Sequence, residues 1–364
     1  MSLPESTNAE SPVTQSVGAF VAESNRAAQP VRVAVVGCGY WGPNLLRNFQ
    51  NCDQTHVVAA CDADPKRLER VGVLCPQAET TTSFDEVLAS DDVQAVAIAT
   101  PVGTHAKLVR QALEAGKHVM VEKPLADSVA DAQMLIHTAE QNQRVLMVDH
   151  TFLFSEPVRR IKALIDAGEL GEIYYFDSVR INLGLIQNDV NVLWDLAPHD
   201  LSIVDYLLGR MPRSVSAIGT CHTGCGVEDV AYLNLDFGQE LIATFHVNWL
   251  SPVKIRHMII GGSKKSLVYN HLDPVEPIKI YDRGVSVTDS PEARRGLLIS
   301  YRTGDVWSPH IEQGEPLAEV VRHFAHCIRT GETPLSDGRA GLRIAQVLEA
   351  SERSIKAQGG RITL

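Results

Sequence analysis

The sequence predicts an α/β protein in two parts: a doubly wound parallel sheet, then an α+β domain with a large, mainly antiparallel, open sheet. Three observations carry this. Short apolar runs alternate with amphipathic helical runs from Val31 to about Asp149, the pattern of strands joined by crossover helices. The first apolar run, Val33-Ala34-Val35-Val36, breaks into Gly37-Cys38-Gly39-Tyr40-Trp41-Gly42. Beyond residue 150 strand-like runs follow one another without helices between them, which suggests antiparallel pairing.

The elements follow in order. Residues 1–30 are polar and weakly periodic and read as a flexible tail; they lack a basic start followed by an apolar stretch, which argues against a secretory signal. Strands are expected near 32–36, 56–61, 94–99, 118–122 and 145–148, with a weaker one near 78–80. Helices are expected near 42–50, 65–73, 83–89, 104–115, ended by Gly116, and 128–142. The second domain, 151–364, reads as a helix over 156–167, a strand near 172–183, a helix around 193–207 and strands at 213–220, 229–237, 240–249, 255–261 and 266–270. The stretch 282–315 lacks periodicity and reads as loop. Helices near 316–330 and 339–357 close the chain and are free to pack back on the first domain. A large open sheet face needs a cover, so a homo-dimer or homo-tetramer is expected.

Composition narrows the function. A net charge of −11 excludes general nucleic-acid affinity. No apolar run approaches the roughly 18–20 residues that span a bilayer. Seven cysteines, an odd number in apolar or turn contexts, suit buried thiols in a reducing cytoplasm. Cys221-His222-Thr223-Gly224-Cys225 has no second ligand pair of finger-like spacing, so no metal is expected.

The glycine turn is the dinucleotide fingerprint of a Rossmann domain over 31–150. Gly37 permits the tight turn, Gly39 lets backbone approach a pyrophosphate and Gly42 lets helix and strand pack closely. The pyrophosphate sits on free N–H groups at a helix N-terminus, and Tyr40 and Trp41 stand beside it. Asp62 ends the second apolar run, 20 residues beyond Gly42. A carboxylate there accepts ribose hydroxyls and repels a 2′-phosphate, so NAD is expected over NADP; Lys66 and Arg67, just beyond, leave NADP open.

Two constellations carry candidate chemistry. In His118-Val119-Met120-Val121-Glu122-Lys123-Pro124, Lys123 lies just past the carboxyl end of a strand, where side chains enter the cofactor crevice. An ammonium there can hold charge developing on a substrate oxygen; an exposed strand-end lysine has the same signature. In Trp194-Asp195-Leu196-Ala197-Pro198-His199-Asp200, Asp195 and His199 are one helical turn apart. A carboxylate beside an imidazole fixes its tautomer, as a general base requires; a surface Asp–His pair has the same spacing. Pro198 suits the first turn of a helix, which places the helix start after Asp195. Thr100-Pro101-Val102-Gly103-Thr104-His105 follows the 94–99 strand and should line the cofactor cleft, with His105 a cap or cofactor neighbour. Asp149 and His150 read as a hinge, and His222, His246, His257, His271, His310, His323 and His326 as ordinary.

Taken together, the glycine turn, Thr100-Pro101…His105, Glu122-Lys123-Pro124 and Asp195-x-x-x-His199 resemble the family of glucose–fructose oxidoreductase, inositol 2-dehydrogenase and MocA proteins, from about Val31 to the C-terminal helix. The resemblance implies a NAD(P)-dependent oxidoreductase acting at a sugar or cyclitol hydroxyl. It implies Lys123 and His199 as the catalytic pair with Asp195 assisting, Glu122 and Pro124 among the cofactor contacts, and a cis Lys123–Pro124 bond. Gly39 to Leu45 and Asp189 to Asp195 look like members of bacterial surface-polysaccharide pathways, some similar to enzymes that oxidise the 3-hydroxyl of UDP-N-acetylglucosamine-type sugars. This subgroup implies a nucleotide-sugar substrate, with Arg180, Asn182, Asn191 and Trp194 as candidate contacts. A cyclitol substrate, or a NAD-binding protein without catalysis, are the alternatives.

Overall fold

The structure, a computed structural model, describes residues 29–184, 186, 190–224, 226–238, 240–287 and 299–364. Residues 1–28 of the expected tail, Asp189 and Cys225 therefore lie outside the described residues. The first sheet contains β1 (Val31–Val36), β2 (Thr55–Cys61), β3 (Glu79–Thr81), β4 (Ala95–Ile98), β5 (His118–Glu122) and β6 (Leu146–Asp149). Its strands are all parallel, in the order β3-β2-β1-β4-β5-β6. The order reverses between β1 and β4, so a crevice opens beyond their carboxyl ends. The crossovers are α1 (Gly42–Asn51), α2 (Pro65–Leu74), α3 (Phe84–Ala89), α4 (His105–Glu114) and α5 (Val129–Gln141). Asp64, Ser83 and Ser128 cap α2, α3 and α5 by accepting backbone N–H bonds, which sets where each helix begins.

After α6 (Glu156–Asp166) come β7 (Ile173–Leu183), α7 (Val192–Leu208), β8 (Ser214–Thr220), β9 (Val230–Gly238), β10 (Leu241–Asn248), β11 (Leu250–Gly262), β12 (Ser266–Asn270), β13 (Ile278–Val287), β14 (Ile299–Trp307), α8 (Pro316–Thr330), α9 (Gly338–Lys356) and β15 (Ile362–Thr363). The nine-stranded sheet runs β14-β13-β12-β11-β7-β10-β9-β8-β15 and is antiparallel except between β7 and β10. Alternation fixes its two faces. Ala231, Leu233, Leu235 and Phe237 of β9 and Ala243, Phe245 and Val247 of β10 are buried, on the face where α7 and α9 pack. On the other face Ile218, Tyr232, His246, Val179 and His257 form one row in register across five strands. Buried residues of both sheets belong to one continuous core, while α8 joins the opposite layer of the first sheet, with Phe324 edge-on to Phe49 at 6.5 Å.

Two expectations fail. The stretch 282–315 is not all loop: β13 and β14 occupy much of it, with 288–298 outside the described residues. Asp282-Arg283-Gly284 interrupts the apolar alternation of β13, and the pair sits at the sheet edge, where alternation is least demanded. Helix α7 begins at Val192, with Pro198 inside it rather than in its first turn.

Candidate active site

The glycine turn has little room to spare. Gly37 has φ +91°, and a Cβ on it would lie 2.5 Å from Ala99 O; one on Gly42 would lie 2.2 Å from Gly37 O. Asp62, at the end of β2, spans the turn. Its Oδ2 accepts from Cys38 N at 2.7 Å and its Oδ1 from Asp64 N at 2.9 Å. Each oxygen keeps a further lone pair for a ribose hydroxyl. The residues therefore fit a dinucleotide. Arg67 comes back over this turn, with its guanidinium 3.5 Å from Asp62 Oδ2 and against Gly39.

Both ring nitrogens of His105 lie against backbone carbonyls, Nδ1 2.9 Å from Pro124 O and Nε2 2.9 Å from Thr100 O, and the neutral ring donates to one of them. It joins the loop after β4 to the strand end carrying Lys123 and has no nitrogen left for a cofactor. Burial holds its pKa below the usual value, opposed by the two carbonyls. Thr100 and Thr104 share a hydroxyl–hydroxyl bond of 2.7 Å around Pro101. The Lys123–Pro124 bond is cis.

Lys123 Nζ donates to Asp195 O at 2.6 Å and to Asp195 Oδ1 at 3.2 Å. Trp249 Nε1 donates to Asp195 Oδ2 at 2.9 Å. Asp195 thus orients the ammonium and not the imidazole, contrary to the sequence-based reading. A carboxylate one turn from His199 is drawn instead to a cation arriving from β5, a pairing that spacing within one helix cannot reveal. Pro198 has no N–H for Trp194 O, so the helix is locally under-bonded beside this contact. Nδ1 of His199 is buried with no partner among the described residues. Its ring meets Phe152 edge-on at 5.0 Å. Burial, then the charges of Lys123 and Arg180, push its pKa well below the usual value, so it is a neutral, proton-accepting imidazole at physiological pH.

Beside Lys123, Glu122 pairs in register with Asp149 on β6. Burial, and then the neighbouring Asp149, raise Glu122 well above the carboxylate range; burial also raises Asp149. Glu122 Oε1 and Asp149 Oδ2 are buried with no hydrogen-bond partner within bonding distance among the described residues, while Thr151 donates to Asp149 Oδ1 at 2.7 Å. Asp149 and His150 are thus packed into the site.

A cleft of about 680 Å³ opens between the glycine turn and the second sheet, lined by Tyr40, Trp41, Phe152, His199, Lys254, Arg256, Tyr269 and His271 among others. Tyr40 is 86% exposed at its rim. Several expected substrate contacts are elsewhere engaged. Arg180 is buried and bidentate to Asp200, at 2.9 and 2.7 Å. Asn191 caps α7, its Oδ1 accepting from Leu193 N and Trp194 N. Trp194 is buried, its Nε1 donating to Glu352 at 2.7 Å. Asn182, by contrast, lies beside Gly184, and its buried Oδ1 has no partner among the described residues. The cations that do face the cleft, Lys254 and Arg256 on β11, were missed, and His271 is not ordinary but part of its wall. Arg256 Nε is buried and unpartnered, and neither Lys254 nor Arg256 has a carboxylate ion-pair partner among the described residues. The alternation Lys254-x-Arg256 on a strand is the signal that could have found them.

Residues 31–150 match a family model described as an oxidoreductase family with an NAD-binding Rossmann fold, and residues 158–268 match the GFO/IDH/MocA C-terminal domain. The chain belongs to the Gfo/Idh/MocA family. It is an NAD-binding oxidoreductase of CH–OH groups. A D-apiose dehydrogenase of Rhizobium rhizogenes is 28% identical over 90% of this chain and 95% of its own length. A 2,7-anhydro-N-acetylneuraminate hydratase of Escherichia coli is 26% identical over 84% and 88%. The solved UDP-N-acetylglucosamine 3-dehydrogenase of Acidithiobacillus ferrooxidans superposes with a TM-score of 0.76, at 23% identity, over 91% of this chain and 99% of that one, a likeness of fold.

Proposed function

We propose that this Gfo/Idh/MocA protein is an NAD-dependent dehydrogenase of a nucleotide sugar, acting on a ring hydroxyl of the UDP-N-acetylglucosamine type. The observation that carries the reading is a cleft lined by His199 together with Lys254 and Arg256, with the Lys123 ammonium near enough to His199 to help depress its pKa. A free sugar needs no such cations, whereas a diphosphate-linked one does. Gly37, Gly39 and Gly42 would hold the cofactor pyrophosphate on α1, Asp62 its adenosine ribose, and Thr100, Pro101, Trp41 and Glu122 the remainder of the crevice. Asp62 beside the glycine turn favours NAD over NADP.

The chemistry supplied by NAD when bound is acceptance of hydride from the carbon being oxidised. His199 takes the hydroxyl proton, for which its low pKa keeps it ready. Lys123, steered by Asp195, stabilises the negative charge that grows on the oxygen. The row Ile218, Tyr232, His246, Val179 and His257 on the open sheet face supports a homo-oligomer formed through that face.

The test is a panel of UDP-N-acetylglucosamine, related nucleotide sugars, free sugars and myo-inositol, read by NADH fluorescence and product mass. A UDP-sugar oxidised in preference to its unlinked sugar, with loss of two hydrogens, supports the reading. Turnover of myo-inositol alone, or a mass change of one water, replaces it. Lys123→Ala and His199→Ala should each lower kcat by about 100-fold or more while NAD still binds.

A further inference from the structure

Three basic side chains lie in one row across the second sheet. Arg180 on β7 pairs in register with Arg256 on β11, and His271, just past β12, donates its N–H to Arg256 O at 2.9 Å. Val179 and His257 face the open side of the sheet, so their chain neighbours Arg180 and Arg256 face α7. Phe152 rests on both ends of the row. Its ring centre is 4.8 Å from the Arg180 guanidinium and 4.6 Å from the His271 ring. The same ring meets His199 at 5.0 Å. Arg256, His271, Phe152 and His199 all line the catalytic cleft.

The three basic groups differ in charge balance. Asp200 neutralises Arg180 through its two short bonds. Burial, then the charges of Arg180 and Arg256, lower the pKa of His271 to about 4, so its ring is neutral. Arg256, between them, keeps its charge. Its Nε is buried with no partner, and it forms no ion pair with a carboxylate, among the described residues. The carboxylates whose charge reaches it are engaged elsewhere, Asp200 with Arg180 and Asp195 with Lys123 and Trp249. On the cleft wall, Glu156 is paired with Arg159, Asp273 accepts from Val275 N and Glu276 N, and Glu312 is exposed. Burial and Arg180 both oppose the charge of Arg256, so an anion brought beside it supplies the balance the row lacks. Lys254 also lines the cleft, two residues earlier on β11 and about 7 Å away along the strand. Lys254 is exposed and Arg256 half-buried, so Arg256 is the deeper of the two.

We propose that Arg256 holds the phosphate bonded to the sugar itself and Lys254 the outer phosphate, so that a sugar 1-phosphate is the smallest sugar ligand this cleft recognises. The inference rests on the nucleotide-sugar reading above and divides its diphosphate between two cations. A guanidinium presents paired N–H donors in a fixed plane, which grip two oxygens of one phosphate and fix its orientation. An ammonium is a point charge on a flexible stem and adds attraction with little direction. The deeper, planar cation therefore sets where the sugar ring stops relative to His199. Arg256 is in this sense the specificity-determining residue. The nucleoside lies beyond Lys254, and its removal leaves the placement of the ring intact.

The test is calorimetry on the full chain loaded with NADH, using UDP-N-acetylglucosamine, N-acetylglucosamine 1-phosphate and N-acetylglucosamine. Wild type, Arg256→Met and Lys254→Met are compared. Wild type should bind both phosphorylated ligands at least about 10-fold more tightly than the free sugar. Arg256→Met should weaken both of them by about 10-fold or more, whereas Lys254→Met should weaken only the UDP-sugar. Should Arg256→Met not fold, Arg256→Lys takes its place; it keeps the charge, loses the planar fork, and should weaken the 1-phosphate by about 3-fold or more. A free sugar bound as tightly as its 1-phosphate, an Arg256 variant that binds the 1-phosphate normally, or a Lys254→Met that loses both ligands alike, overturns the assignment. Failure of wild type to oxidise any nucleotide sugar with NAD sinks the substrate reading instead. Inorganic phosphate and pyrophosphate then decide the role of Arg256. Phosphate binding lost in the Arg256 variant and kept in Lys254→Met supports it, and phosphate binding that is absent from wild type or indifferent to Arg256 overturns it.

Discussion

Replacing Asp200 by Asn separates a scaffold role for Arg180 from a substrate-binding one. The pair is 3% and 8% exposed, and the guanidinium has both of its short bonds to that carboxylate. It also lies 4.8 Å from the centre of the Phe152 ring. Removing one charge leaves the other buried, which typically costs about 3–5 kcal/mol. The amide keeps one acceptor for Arg180, so the lower end, about 3 kcal/mol, is expected. Arg180→Met with Asp200→Leu removes both charges and should recover most of the loss. Unfolding in urea followed by tryptophan fluorescence measures this. A looser Phe152 would also disturb the walls it supports, His199 at 5.0 Å and His271 at 4.6 Å, so kcat should fall along with stability. A variant as stable as wild type with only KM raised would refute the reasoning and return Arg180 to the substrate.

Asp62→Ala should weaken NAD binding by about 10-fold, equivalent to about 1.4 kcal/mol, and narrow the preference over NADP because Arg67 stays beside the turn; calorimetry with both cofactors checks it, and unchanged selectivity would remove Asp62 from that role. Asn191→Ala should cost about 0.5–2 kcal/mol as a lost helix cap and leave KM for the sugar unaltered; a changed KM with full stability would make it a substrate contact. Stability should also depend on pH through His150, which ionises near pH 3 in the fold and near pH 6.5 when unfolded. Between these values the unfolded chain holds the extra proton. The contribution is therefore complete above about pH 6.5 and is lost as pH falls, by about 1.4 kcal/mol per unit. Relative to His150→Gln, wild type should lose stability steadily from pH 6 to pH 4, and a constant difference would contradict the assignment.

Much of the fold is legible because its signals are local. Gly37 and Gly42 are glycines for reasons visible in their own turn, and Lys123 follows a strand whose direction the alternation of elements gives away. What escaped depends on partners distant in sequence. Asp195 and His199 do share a helix, but the cation that captures Asp195 comes from β5, and Trp249 completes the site from just beyond β10. Arg180 reads as a strand-borne cation available to a ligand until Asp200 is seen opposite it. Asn191 carries a cap signal of its own, an Asn ahead of an apolar run with an acid in the first turn. Strand β14 was hidden because an edge strand tolerates polar interruptions, and its neighbour β13 because Asp282-Arg283-Gly284 breaks its alternation.

The most direct measurement is a crystal structure of the protein with NAD bound. The account predicts the pyrophosphate on the Gly37–Gly42 turn and the nicotinamide in the cleft, with Lys123 Nζ and the His199 ring both turned toward the same reacting face. A nicotinamide bound away from this pair, or the two side chains directed into different spaces, would contradict it.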